Sequence, residues 1–236
     1  MSKTKDFKWK HFEPEIILWG VRWYCRYAIS YRDLKEMMEE RGLEISHTTP
    51  YRWVQQYAPE IDKRTRPFLK KSNDSYRVDE TYVKIKGKWK YLYRAVDSAG
   101  DVLDFLLTEK RDKKAAKRFF KKMLGNKHTA EPRVISVDKN PAYPAAFDEL
   151  KSEGVIPKST KFCQKKYLNN IVEQSHRFIK KLIKSNQWFQ SFKTATRAIA
   201  GFEIMNMIRR GQVKFVGKGN VLAQKTFVES LFGIGV

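Results

Sequence analysis

Arg77-Val-Asp-Glu-Thr-Tyr-Val-Lys84 alternates β-branched or aromatic side chains with polar ones, the pattern of a strand, and it carries two adjacent carboxylates. Neighbouring side chains on a strand point to opposite faces, so Asp79 is read as facing one side of a sheet and Glu80 the other. Downstream, Lys86-Gly87 supplies a hairpin turn into a second strand-like run, Lys88–Asp97. Ser98-Ala-Gly-Asp101 then turns the chain into a third, Val102–Thr108. Together they predict an antiparallel meander that begins near Tyr76.

The period then changes. Residues 112–125 predict an amphipathic helix, with Ala116, Phe119, Phe120, Met123 and Leu124 inward and a row of Lys and Arg outward. Val134–Val137 is a short apolar run of the kind buried at the centre of a sheet, and Asp138 closes it. Helices are expected over Pro141–Ser152, Lys166–Lys184 and 191–210. Three antiparallel strands, helix, strand, then helices make an α/β domain with a mixed sheet.

Upstream of the strands, residues 13–60 read as helical. Ser30-Tyr-Arg-Asp33 is a variant capping box, and Arg41-Gly42 ends the helix that it starts. A third helix is expected near Ser46–Tyr57, with Thr49 as its cap and Pro50 in its first turn. Helix, short Gly-containing turn and helix form the helix-turn-helix pattern. Its second helix offers His47, Thr48, Tyr51, Arg52 and Gln55 as groove contacts, while Trp53 and Val54 pack inward. The resulting division is a helix-turn-helix domain over 1–60, a linker over 61–74 that contains Lys70-Lys-Ser-Asn-Asp74, a catalytic domain over 75–190, and a C-terminal helical extension over 191–236 packing on the catalytic domain.

Forty-eight Lys and Arg against 26 Asp and Glu leave a formal charge of +22 on 236 residues, which favours a polyanionic partner, nucleic acid before membrane. The start of the chain has no apolar core of signal-peptide type, and no run reaches the length of a membrane span, so the expected location is cytoplasmic, with the nucleoid. Cys25 and Cys163 form no Cys-x-x-Cys pair and the histidines no zinc spacing. No small-molecule substrate is expected.

Between Gly154 and Phe202 one acid, Glu173, stands among ten Lys and Arg. A carboxylate there repels the polyanion that its neighbours attract, unless it holds a divalent cation that inverts the local sign. Asp79, Asp138 and Glu173 come from three separate elements, as a two-metal phosphodiester site requires. Glu173, His176, Arg177, Lys180 and Lys184 share one stripe of their helix, beside the phosphate-binding groups. Asp97 and Asp104 read as turn or surface acids.

These residues resemble the DDE transposases of bacterial insertion sequences, the IS-six family. The resemblance lies in Tyr31-Arg-Asp-Leu34, Tyr51-Arg-Trp-Val54, Val78-Asp-Glu-Thr-Tyr-Val-Lys84, Gly87-Lys-Trp89, Tyr91-Leu-Tyr-Arg-Ala-Val-Asp97, Tyr167-Leu-Asn-Asn170 and Glu173-Gln-Ser-His-Arg177. It implies an RNase H-like mixed-sheet catalytic domain preceded by an all-α helix-turn-helix domain. It also implies Asp79, Asp138 and Glu173 as catalytic triad and metal ligands, with Lys180 as the basic residue seven positions past the glutamate. The cofactor implied is two Mg²⁺ per site, with Mn²⁺ able to substitute. The implied partners are double-stranded DNA, both terminal inverted repeats and target, and a second copy of the chain. The rival reading is a catalytically inert DNA-binding regulator. Ser175 stands where the family has Asp, Pro50 where a β-branched residue is usual, and Lys161–Lys165 lacks a histidine common there.

Overall fold

A computed structural model describes residues 5–164, 170–185 and 189–235. The chain divides into two compact units, one of residues 1–69 with 181–236, the other of residues 70–180.

The second unit is built on a five-stranded sheet. Strands β1 (Ser75–Ile85), β2 (Lys88–Asp97) and β3 (Val102–Thr108) form the meander, with Lys86 and Gly87 both at positive φ in the hairpin turn. Strand β4 (Val134–Val137) joins β1 in parallel and β5 (Lys161–Gln164) joins β4 in parallel, giving the order β3-β2-β1-β4-β5. This is the RNase H-like arrangement expected above. Helix α4 (Lys113–Leu124), capped by Asp112, and helix α5 (Ala142–Ser152) share the sheet's buried core. Tyr76, Val78, Tyr93 and Ala95 from the strands meet Phe119, Phe120, Tyr143 and Phe147 there.

The row of Lys and Arg on α4 does face outward, and one expectation, the reading of Asp104, fails in this unit. The lysine row of α4 is largely committed to α5: Lys113 and Lys117 pair with Glu149, and Lys117 and Lys121 with Glu153. Asp104 is fully buried rather than exposed, held by Lys122 at 2.9 Å and by the Asn126 amide at 2.8 Å. Asp97 keeps its turn role, accepting from the Ala99 and Asp101 backbone N–H groups.

The first unit is helical. It contains α1 (Pro14–Arg26), α2 (Tyr31–Glu39) and α3 (Thr48–Thr65). The capping box at Ser30 and Asp33 forms in both directions. Helix α3 starts at Thr48 with Pro50 in its first turn, and it runs through Pro59 into the stretch expected to be linker. Tyr57, Ala58, Ile61 and Thr65 are buried, so the apolar stripe continues past the proline and packing outweighs one missing hydrogen bond.

Chain order hides a further partner of these helices. After α6 (Asn170–Ser185), helix α7 (Phe192–Arg209), capped by Ser191, packs against α1 and α3. It was expected on the catalytic domain. Its apolar residues run all round, from Ala195 and Ala198 to Ile204 and Ile208, as a central helix requires. Gly201 marks the tightest approach, since a Cβ there would lie 2.5 Å from Cys25 Sγ and 2.8 Å from Ala58 Cβ. Helix α8 (Val221–Ser230) completes the unit. Among the described residues no helix is long and apolar enough to cross a membrane.

Candidate active site

Sheet register builds the site. Val78 of β1 pairs with Val137 of β4, and β4 stops there. The next residues, Asp79 within β1 and Asp138 just past β4, therefore emerge side by side at the carboxyl end of β4, the kind of strand end where open α/β sheets gather ligands. One oxygen each from Asp79, Glu80 and Asp138 lie within 4.8 Å of one another. Three oxygen donors this close suit a hard divalent cation, so the residues fit the metal that the sequence implies.

Glu80 is the site residue that strand alternation missed. The β1–β2 register is continuous, so Glu80 does leave the strand on the face opposite Asp79. Beyond Val78, however, β1 has no β4 neighbour to keep the two faces apart, and the longer Glu80 side chain reaches the cluster at the open edge. Its carboxylate is 3% exposed and saturated with donors. Tyr143 Oη donates to Oε2 at 2.6 Å, and Asn140 Nδ2 and Arg111 Nε donate to Oε1 at 2.8 and 2.5 Å. Burial first, then the Glu80 charge, pushes the Tyr143 phenol far up, so it stays a donor. The short, shared hydrogen bonds around one carboxylate would have been the only signal, and they are visible only in three dimensions.

Arg111 also donates to Asp138 Oδ2 at 3.1 Å, tying the two acids through one guanidinium. The Asn140 backbone N–H donates to Asp138 Oδ1 at 3.0 Å. Burial raises the Asp138 carboxyl above its ordinary value and the Glu80 charge adds to this, while the Asn140 N–H and Arg111 oppose it. The net shift is upward, as expected of acids gathered without a cation between them.

On the other face, Asp79 lies opposite the fully buried Arg94 of β2 and near His176 of α6. His176 Nδ1 is 3.8 Å from Asp79 Oδ2, too far for a hydrogen bond. Burial, reinforced by the charges of Arg94 and Lys180, drives the imidazole down to about 3, so it is neutral and the pair is not an ion pair. His176 is 3% exposed, which removes it from the solvated stripe on which the sequence placed it. Arg177, Lys180 and Lys184 do stand exposed on α6. Glu173 lies on α6, and its side chain is outside the described residues.

In the helical unit, His47, Thr48, Tyr51 and Arg52 are exposed at the start of α3. Gln55 is not available as a groove contact. It is buried, and its amide nitrogen donates to the Thr194 carbonyl of α7 at 3.3 Å. His47, Tyr51 and Gln55 also line a pocket of about 570 Å³, with Tyr24, Tyr31 and Phe189.

Comparison with known proteins gives the family. Residues 73–212 match the DDE domain family, DDE_Tnp_IS240. The transposase for the insertion sequence-like element IS431mec of Staphylococcus aureus is 40% identical over 198 residues, 84% of this chain and 85% of that protein. The transposase for insertion sequence element IS257 in transposon Tn4003, also of S. aureus, matches to the same extent. The HTLV-2 integrase catalytic core domain in complex with magnesium is a distant likeness, at 21% identity and TM-score 0.40 over 49% of this chain and 72% of that one, and carries no weight for function. By sequence the chain therefore belongs to the DDE transposases of bacterial insertion sequences, the IS-six family, and is a DNA transposase.

Proposed function

We propose that this transposase binds the terminal inverted repeats of its element, cleaves to free a 3′-OH, and joins that 3′-OH to target DNA at one site built from Asp79, Asp138 and Glu173. The observation that carries the reading is the juxtaposition of Asp79 and Asp138 at the end of β4. Asp79, Asp138 and Glu173 would hold Mg²⁺, two ions per site, with Mn²⁺ as a substitute. Bound there, the metal would supply activation of the attacking oxygen and charge stabilisation of the leaving 3′ oxygen.

The chain's own residues do the rest. Arg111 and the Asn140 backbone N–H fix the Asp138 carboxylate, so its lone pairs are aimed before substrate arrives. Neutral His176 fills the space behind Asp79 without adding a competing charge. Arg177, Lys180 and Lys184 are suited to gripping phosphates along α6, and His47, Thr48, Tyr51 and Arg52 to reading the terminal repeat from α3. A homodimer is the expected assembly, because two element ends must be joined in one reaction.

The test is cleavage of a duplex carrying one element end. Wild type with Mg²⁺ should nick at the terminus, and a chelator or Glu173→Gln should reduce this at least a hundredfold. Cleavage by Glu173→Gln at the wild-type rate would remove Glu173 from the triad.

A further inference from the structure

Past the acid cluster β1 and β2 run on, and beyond the Tyr82–Tyr91 pair, where β3 ends, they continue as a two-stranded ribbon. Cross-strand partners share a face, so Glu80 with Tyr93, Tyr82 with Tyr91, and Lys84 with Trp89 lie in order along it. Tyr93 belongs to the buried core, but two residues further the cover ends: Tyr82 is 53% and Trp89 60% exposed. The rings form a contiguous patch, with Tyr82 5.5 Å from Tyr91 and 6.2 Å from Trp89 between centroids. Lys84 Nζ stands 5.7 Å from the Trp89 ring. From Thr81 to Val96 the sequence has no Asp or Glu and five basic residues, Lys84, Lys86, Lys88, Lys90 and Arg94.

Core packing does not explain two large exposed rings on a strand, and their setting points to a ligand with flat faces and regular negative charge. We propose that this face of the ribbon, Tyr82, Trp89 and Tyr91 with Lys84 and, in the turn, Lys86, is a binding platform for single-stranded DNA. It would take the unpaired nucleotides next to the phosphate under attack. Bases stack on aromatic side chains whatever their sequence, and interleaved lysines follow the backbone between them. Position favours this occupant: Tyr82 follows Glu80 on the same face, about 7 Å along the strand, so a strand lying on the rings runs directly into the acid cluster. The lysine density disfavours a second copy of the same ribbon, which would bring like charges together. The placement beside the scissile bond rests on the function proposed above, whereas the affinity for single strands does not.

The experiment compares binding of a labelled oligo(dT) with that of a duplex of equal length, by anisotropy at one fixed salt concentration. Tyr82→Ala with Trp89→Ala should lower oligo(dT) affinity at least tenfold and duplex affinity less than twofold. Trp89→Phe, which keeps a stacking ring, should stay within threefold of wild type. Ultraviolet crosslinking of iodouracil-substituted single strands to the unaltered protein should map to Tyr82, Trp89 or Tyr91, and needs no variant to fold. Unchanged oligo(dT) binding by the double variant, equal losses on both DNAs, or crosslinks confined to other residues would overturn the proposal. So would a change in association state of the double variant on sedimentation, which would mark the patch as a contact between copies. Binding alone decides the platform and cleavage alone decides the triad, so failure of one is told apart from failure of the other.

Discussion

Val78 and Val137 are partners in the parallel pairing of β1 with β4, and that single register places Asp79 beside Asp138. Two acids remote in sequence become neighbours because β4 ends one residue too early to separate them. The same ending opens the β1 edge through which Glu80 joins them.

Arg111 links Glu80 to Asp138 and holds the Asp138 carboxyl down against burial and the Glu80 charge. Removing it should let that carboxyl rise further. Protons and metal compete for the same oxygens, so the acid limb of Mg²⁺-dependent cleavage by Arg111→Ala should move to higher pH, by about half a unit to one unit. A pH–rate profile of both proteins checks this, and a superimposable acid limb would contradict it.

Glu80 and Tyr143 form a buried pair with no water to fall back on. Glu80→Leu strands the Tyr143 hydroxyl, while the exposed Arg111 keeps Asp138 and water, and should cost about 1–3 kcal/mol of stability. Tyr143→Phe should cost about 1–2 kcal/mol, and the double variant less than the sum, because each change removes the same hydrogen bond. Urea unfolding of the four proteins closes the cycle.

His176 supplies a pH dependence of stability whose sign is fixed. Its folded value, about 3, lies below the ordinary 6.5, so the unfolded chain binds a proton that the folded one refuses. The contribution is full above the ordinary value and is lost as pH falls towards about 3. The unfolding midpoint of wild type should therefore drop more steeply than that of His176→Gln between pH values of roughly 6.5 and 4.5. Parallel slopes would mean that His176 is protonated in the fold.

At Gly201 two effects oppose each other. Alanine is the better helix former by about 1 kcal/mol, but its methyl would overlap Cys25 Sγ and Ala58 Cβ. Ala58 Cβ cannot turn aside, and overpacking of this kind costs about 1–3 kcal/mol, so Gly201→Ala should be net destabilising by about 1 kcal/mol or more. A melting curve with a raised midpoint would show that α7 has room to shift.

Much of the catalytic unit was legible because its signals are local. Alternation and Lys86-Gly87 gave the meander, and the apolar run ending in Asp138 gave β4. What escaped depends on distant partners. Strand β5 is four residues, half of them polar, and is a strand because β4 needs a neighbour. Asp104 looked like a surface acid because Lys122 and Asn126, which bury it, are encoded on another element. Pro59 looked like a break because propensity cannot see the packing of Ile61 and Thr65 that carries α3 past it. Glu80 does point to the other face, as alternation has it, and it nears the cluster at the edge where β4 stops.

The most direct measurement is strand transfer of a pre-cleaved element end into target DNA with Mg²⁺, comparing wild type with Asp138→Asn. Asparagine keeps the size of the side chain and removes its charge. The variant should bind the end with unchanged affinity and lose transfer by at least a thousandfold. Transfer at the wild-type rate by a folded, DNA-bound Asp138→Asn protein would contradict the assignment of the acid cluster as the catalytic centre.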